Sequence, residues 1–265
     1  FDTPVVYRSP RSETASYLAA AAEHGFTREA IGAPIVVSDR SEAVDGTHMT
    51  YELALDPIEA DGVLLLTHVK GHMCCGMGGA IKNVGMGCMS KKTKGAIHAG
   101  AEPSYTGGCT SCGTCVENCP TGNIRLVDGE PRFDVTWCPG CSNCVNVCPA
   151  ACIEAKTAEF NTLLAEAAVL AHRRYRKTFA LNVIRGITKL CDCVADAGPL
   201  LADDVGYVCA DDMLTADVAS LALIREHTGR NDLFLEHNLI SPWRHVEAAA
   251  RMMGRTTDVD VETID

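Results

Sequence analysis

Hydrophobic and polar positions along the chain change period several times. Residues Glu13–Glu23 carry alanines with Tyr17 and Leu18 ahead of Gly25, which predicts a helix with a glycine stop. Pro34–Ser38 and His48–Leu55 read as short strands, and Phe1–Tyr7 is strand-like. Asp61–Val69 contains Gly-Val-Leu-Leu-Leu-Thr-His-Val, a nearly unbroken apolar run that predicts a buried strand. Thr157–Lys177 predicts a long helix with Phe160, Leu163, Leu164, Ala167, Leu170 and Ala171 on its apolar face. Its basic last turns suit the negative end of the helix dipole. Phe179–Ile184 and Val205–Cys209 predict strands, and Leu214–His227 an amphipathic helix. Ser241–Met253 predicts a helix with Ser241 as N-cap and Pro242 at the first position. Strands alternating with helices predict an α/β domain with a mainly parallel sheet and flanking helices. The acidic end, Thr256–Asp265, is expected to pack poorly. The chain begins at Phe1 within strand-like sequence, so a further N-terminal portion is expected upstream.

The alternation breaks between 103 and 156. Cys109-x2-Cys112-x2-Cys115-x3-Cys119-Pro120 is followed by Cys138-x2-Cys141-x2-Cys144-x3-Cys148-Pro149. Each cysteine of the first run maps onto the second at an offset of 29, as do Val116/Val145 and Ile124/Ile153. Three cysteines at x2 spacing can wrap a compact loop around three corners of an iron–sulfur cubane, and the x3-Cys-Pro continuation sends the fourth elsewhere. A zinc site would not need the three-cysteine ladder twice. A disulfide framework would strain thiols this close together.

These runs resemble the bacterial-type ferredoxin with two [4Fe–4S] clusters, over about 103–156. The resemblance implies that Cys109, Cys112, Cys115 and Cys148 bind one cluster, and Cys138, Cys141, Cys144 and Cys119 the other. It divides the chain into 1–102, a first part of the α/β domain; 103–156, an inserted α+β two-cluster domain; and 157–265, the second part with its tail. Cys152 reads as a buried small residue rather than a ninth ligand. Asn123 either bonds near a cluster or points out of a turn.

Of 265 residues, 15 are cysteine, and the formal charge is −11. No apolar run approaches the roughly 20 residues of a membrane helix, so no membrane insertion is expected. The acidic balance argues against nucleic acid as a partner. Two oxidised clusters would add about −4 more, suiting a redox partner protein with a basic face. So many cysteines without a secretory signal pattern point to a reducing, cytoplasmic setting.

The strand ending at Val69 runs into Lys70-Gly71-His72-Met73-Cys74-Cys75-Gly76-Met77-Gly78-Gly79-Ala80-Ile81-Lys82-Asn83-Val84-Gly85-Met86-Gly87-Cys88. A glycine loop between a strand and a helix is where open α/β sheets bind ligands, though it matches neither a Walker loop nor G-x-G-x-x-G. His72, Lys82 and Cys88 are candidate catalytic residues, and Gly78, Gly79 and Asn83 candidate cofactor contacts; His68 is also chemically capable. Lys82 and His72 could clamp an anion or act as an acid/base pair, or simply face water and cap a loop. Cys191-Asp192-Cys193 adds two cysteines that would point the same way if extended. With Cys88, and His68 or His72, they are candidates for a third metal or cluster site, for a redox disulfide, or for buried packing. A bridge between Cys191 and Cys193 themselves is not expected at i,i+2.

The run from His68 to Cys88, with Glu23-His24-Gly25-Phe26, the Cys191–Cys193 triplet and Asp211–Leu223, resembles a family known only as a domain of unknown function, or uncharacterised iron–sulfur center protein. The resemblance spans essentially the whole chain and implies clusters but no settled reaction. Three functions are open. One is an iron–sulfur redox protein feeding electrons to chemistry on a small-molecule substrate at the glycine loop, as an oxidoreductase. The second is an electron carrier or electron-transfer subunit without its own substrate. The third is a metal- or cluster-handling accessory protein.

Overall fold

A computed structural model describes the chain except Ala195 and Asp265. The order begins with α1 (Thr14–Glu23), α2 (Arg28–Ile31), β1 (Ser41–Asp45), β2 (Thr50–Ala54), α3 (Leu55–Glu59), β3 (Val63–His68), β4 (Lys70–His72), β5 (Gly76–Gly78), α4 (Ala80–Gly87) and α5 (Lys91–Gly100). Then come β6 (Pro103–Tyr105), α6 (Thr114–Glu117), β7 (Ile124–Val127), β8 (Glu130–Phe133), α7 (Asn143–Val147) and β9 (Ile153–Ala155). The chain continues through α8 (Phe160–His172), β10 (Thr178–Ile184), β11 (Gly206–Ala210), α9 (Met213–Thr228), α10 (Leu233–Asn238) and α11 (Trp243–Met253). This is a mixed α/β protein. Among the described residues no helix is long and apolar enough to cross a membrane.

The largest sheet has the order β11-β10-β3. β3 lies parallel to β10, but β11 returns antiparallel, and every other strand pairing described is antiparallel. The expected mainly parallel sheet is therefore corrected to a single parallel pair. The reason is the connection: among the described residues no helix lies between β10 and β11, so the chain has no helical crossover to return on. β3 also departs from a fully buried strand. Leu65 is buried, yet Leu64 and Leu66 are 63% and 61% exposed, because only one sheet face is covered. On that face α4 and α9 pack beneath the strands, and α8 lies against α4. Gly85 permits the α4–α8 approach, since a Cβ there would sit 2.6 Å from the Leu164 carbonyl oxygen.

Phe1–Tyr7 and Pro34–Ser38 do not form strands. They meet in one isolated bridge, Asp2 with Val37, and the prolines remove ladder donors on both segments. The helix expected over Thr157–Lys177 occupies only Phe160–His172. Pro242, not Ser241, is the N-cap of α11, although Ser241 Oγ still accepts from Trp243 N at 3.3 Å.

Residues 103–156 leave and rejoin the body through the antiparallel β6–β9 pair. They carry a small core of their own, Cys115, Ile124, Cys144, Cys152 and Ile153, separate from the main one.

Candidate functional site

The duplication in sequence is also a duplication in backbone. Ser111 and Gly140, Gly113 and Ser142, and Gly122 and Ala151 all adopt positive φ, each pair 29 residues apart. Three of the six carry a Cβ, a conformation that costs about 1 kcal/mol or more per residue. The left-handed turns curl the two loops, and α6 and α7 begin at matching positions, Thr114 and Asn143.

Two cavities result. One is lined by Cys119, Cys138, Cys141 and Cys144. The other is lined by Cys109, Cys112, Cys115 and Cys148, with Cys152 also on its wall. Cys119 and Cys148 each cross to the cavity of the opposite run. Backbone amides of Ser111 and Asn123 donate to Cys109 Sγ and Cys119 Sγ, each at 3.3 Å. Burial pushes the thiol of Cys141 up to about 11 and that of Cys144 up to about 12.

The cavities differ in setting. The Cys119/Cys138/Cys141/Cys144 cavity abuts the α/β body. His98 Nδ1 donates to the Pro139 carbonyl at 2.7 Å, and Ser142 Oγ donates to the Ala101 carbonyl at 3.1 Å. A Cβ at Gly140 would meet the His98 carbonyl oxygen at 2.1 Å. The other cavity lies farther out, and its Cys112 is exposed.

From the body, the β4–β5 hairpin reaches toward the nearer cavity. Its tip holds Cys74 and Cys75, both buried. Cys74 Sγ lies 3.9 Å from the Pro139 carbonyl oxygen. Burial, then Cys141, Cys75 and Cys138, push the Cys74 thiol well above its usual range. Burial takes the Cys75 thiol up to about 12. His72 accepts the Cys74 N–H at Nδ1, 3.1 Å away. Burial holds the His72 ring well below its ordinary pKa, and the charges of Lys82, His98, His245 and Lys70 lower it further.

On the other side of His72 stands the segment Cys191–Cys193. Cys191 and Cys193 are disulfide-bonded, with Cα atoms 5.3 Å apart. This corrects the expectation against an i,i+2 bridge: the segment turns, whereas an extended one would separate these Cα atoms by about 6.6 Å. His72, Cys191 and Cys193 form the one group of three metal-capable side chains found among the described residues, their ligand atoms within 4.8 Å of one another. Between the cysteines, Asp192 pairs with Lys70 Nζ at 3.0 Å and His68 Nδ1 at 3.3 Å. Burial alone would raise its pKa, but Lys70 and His68 together hold the carboxylate below its usual range.

Other expected site residues fall elsewhere. Cys88 does not join Cys191 and Cys193. It is buried in the main core, where burial raises its thiol to about 11. Gly79 faces the buried Asp217, and Asn83 Nδ2 donates to the Leu66 carbonyl at 3.2 Å and Thr67 Oγ1 at 3.0 Å. Gly78 lies over the Lys70 side chain. Lys82 makes no ion pair among the described residues. Sequence reasoning assigned no role to Asp192 or Asp217. For Asp192 the signal was present, an acidic residue between two cysteines; for Asp217 there was none short of the fold.

No curated protein and no solved structure matches the chain. The family model described as Domain of unknown function (DUF362) matches residues 1–222, and the chain belongs to that family.

Proposed function

We propose that this DUF362 chain is an iron–sulfur redox protein that holds two [4Fe–4S] clusters in its two cysteine cavities. One observation carries the reading: the eight cysteines of the two runs line two cavities, four to each, with Cys119 and Cys148 crossing between runs and Cys152, outside the runs, also on the second wall. The donor set fits. All eight are soft sulfur ligands, and the Ser111 and Asn123 amides that donate to Cys109 and Cys119 suit thiolates bound to metal. Thiolates buried in an apolar wall are unfavourable without a bound cation, and burial pushes the thiols of Cys141 and Cys144 up. When bound, such clusters supply one-electron transfer at low potential.

The chain's own residues give the path a direction. The exposed Cys112 side offers an approach for a redox partner, and the net charge of −11 suits a basic face on that partner. The nearer cavity, through Pro139 and Cys74, adjoins the hairpin that carries His72. In this reading 103–156 is the cluster-binding domain, inserted between 1–102 and 157–265. A reducing, cytoplasmic setting suits its thiols. Oxidoreductase chemistry on a small-molecule substrate would then sit in the α/β body around His72 and Lys82. The alternative is a carrier without a substrate, and binding only to redox proteins would favour it.

The test is iron and acid-labile sulfide per chain, purified anaerobically, with EPR of the dithionite-reduced protein. About eight of each, with coupled S = 1/2 signals, is expected. Zinc in place of iron, or iron without sulfide, would overturn the reading.

A further inference from the structure

The Cys191–Cys193 pair lies outside both cysteine cavities, and nothing above uses it. We propose that Cys191 and Cys193 are a redox-active dithiol–disulfide couple, positioned by His72, that exchanges two electrons with a dithiol partner.

The competing use of these residues is a metal site of one histidine and two cysteines. The hydrogen bonding of His72 decides between them. A neutral imidazole has one lone-pair nitrogen. In His72 that nitrogen is Nδ1, because it accepts the backbone N–H of Cys74 at 3.1 Å. A metal would have to break that bond or strip the remaining proton. A thiolate needs only a donor nearby: a ring nitrogen of His72 lies within 4.8 Å of both sulfurs, and the ring's one proton is on Nε2. Cations stand close as well: Lys70 pairs with the intervening Asp192, and the charge of Lys82 reaches His72.

Accessibility fits exchange. Cys191 is 5% exposed, while Cys193 is half-buried, so one sulfur can be attacked and the other can leave. The segment is held in place: Gly71 N donates to the Thr188 carbonyl at 2.8 Å, and Asn238 Nδ2 to the Lys189 carbonyl at 3.0 Å.

The exchange balances. A partner thiolate attacks Cys193 Sγ, the Cys191–Cys193 bond breaks, and Cys191 leaves as a thiolate that takes a proton. The partner's second thiol gives up its proton and displaces Cys193, which is protonated in turn. The partner ends as a disulfide and the chain as two thiols, so two electrons and two protons have moved.

The test equilibrates the intact, metal-loaded protein anaerobically in graded mixtures of reduced and oxidised dithiothreitol. Thiols are then alkylated and read by peptide mass spectrometry. Cys191 and Cys193 should gain label together, with a two-electron dependence on the ratio. The exposed Cys209 should label throughout. His72→Gln should move the midpoint ratio by roughly tenfold, the size of one charge-assisted hydrogen bond. Labelling that ignores the ratio would overturn the proposal. So would a stoichiometric metal that is lost in both Cys191→Ser and Cys193→Ser. Iron and sulfide from the same samples judge the cluster reading separately: full clusters beside an unresponsive pair sink only this proposal, and a responsive pair without clusters sinks only that one.

Discussion

Gly79 and Asp217 compete for one volume. A Cβ on residue 79 would lie 2.4 Å from Asp217 Oδ1. The same carboxylate accepts Ala80 N–H at 2.6 Å, Ile81 N–H at 2.9 Å and Asn182 Nδ2 at 2.9 Å. The first turn of α4 is thus capped from α9, and the glycine makes room for the cap. Gly79→Ala should cost about 1–3 kcal/mol through overpacking. Asp217→Ala should cost roughly 1–3 kcal/mol for each stranded amide. Urea denaturation reads both, and unchanged midpoints would rule the cap out.

Asp217 and His245 bend the pH profile of stability in opposite directions. Burial raises Asp217 to about 6, against the pull of its donors. Between about pH 4 and 6 the folded state keeps a proton that the unfolded chain has released. Its contribution is therefore present at low pH and lost as pH rises through 6. His245 is fully buried, and burial lowers it to about 4 against a smaller opposing effect of the Cys75 backbone. Its contribution is present above about 6.5 and lost as pH falls towards 4, with an upper limit of about 3 kcal/mol. His72 and His98, lowered first by burial, act in the same sense. Stability should therefore fall on acidification below pH 6.5, and Asp217→Asn should steepen that fall between pH 6 and 5. A variant profile no steeper than the wild type would contradict this.

Neighbouring glycines in the same run should respond very differently. A Cβ on Gly71 would lie 2.0 Å from the Lys189 carbonyl oxygen and 2.7 Å from Asn238 Nδ2. On Gly78 the nearest atom would be Lys70 Cε at 3.7 Å, an ordinary contact. Gly71→Ala should push Lys189 and the Cys191–Cys193 segment away, cost about 1–3 kcal/mol, and speed alkylation of Cys191 after reduction. Gly78→Ala should change little. Equal effects of the two substitutions on the melting temperature would show that the segment does not rest on Gly71.

The cysteine cavities were legible because the signal is local and repeated. An offset of 29 in the sequence returns as matching left-handed turns at Ser111/Gly140, Gly113/Ser142 and Gly122/Ala151. The helices after Thr14, Phe160 and Met213 were legible for a similar reason, a local apolar period. What escaped depends on contacts far apart in the chain. An apolar run cannot say which face of β3 is covered, so exposed Leu64 and Leu66 read as core. The glycine run reads as a ligand cradle until Asp217, from α9, is seen against Gly79. Cys88 and Cys191 are both buried cysteines, and only the fold separates their surroundings.

The crossing of Cys119 and Cys148 gives the cluster reading its sharpest test. Each follows its own run in sequence but lines the cavity of the other. Cys119→Ser should therefore perturb the same EPR signal as Cys141→Ser, and Cys148→Ser the same signal as Cys115→Ser. Each substitution should lower iron by up to about four per chain. Grouping by run, with Cys119 behaving like Cys112 and Cys115, would instead mean that each run closes on its own metal. Cys74 supplies the control. It is buried beside Pro139 yet lines neither cavity, so Cys74→Ser should leave the iron count intact. Should Cys74→Ser alone cost four iron, the assignment of Cys119 to the nearer cavity would have to be given up.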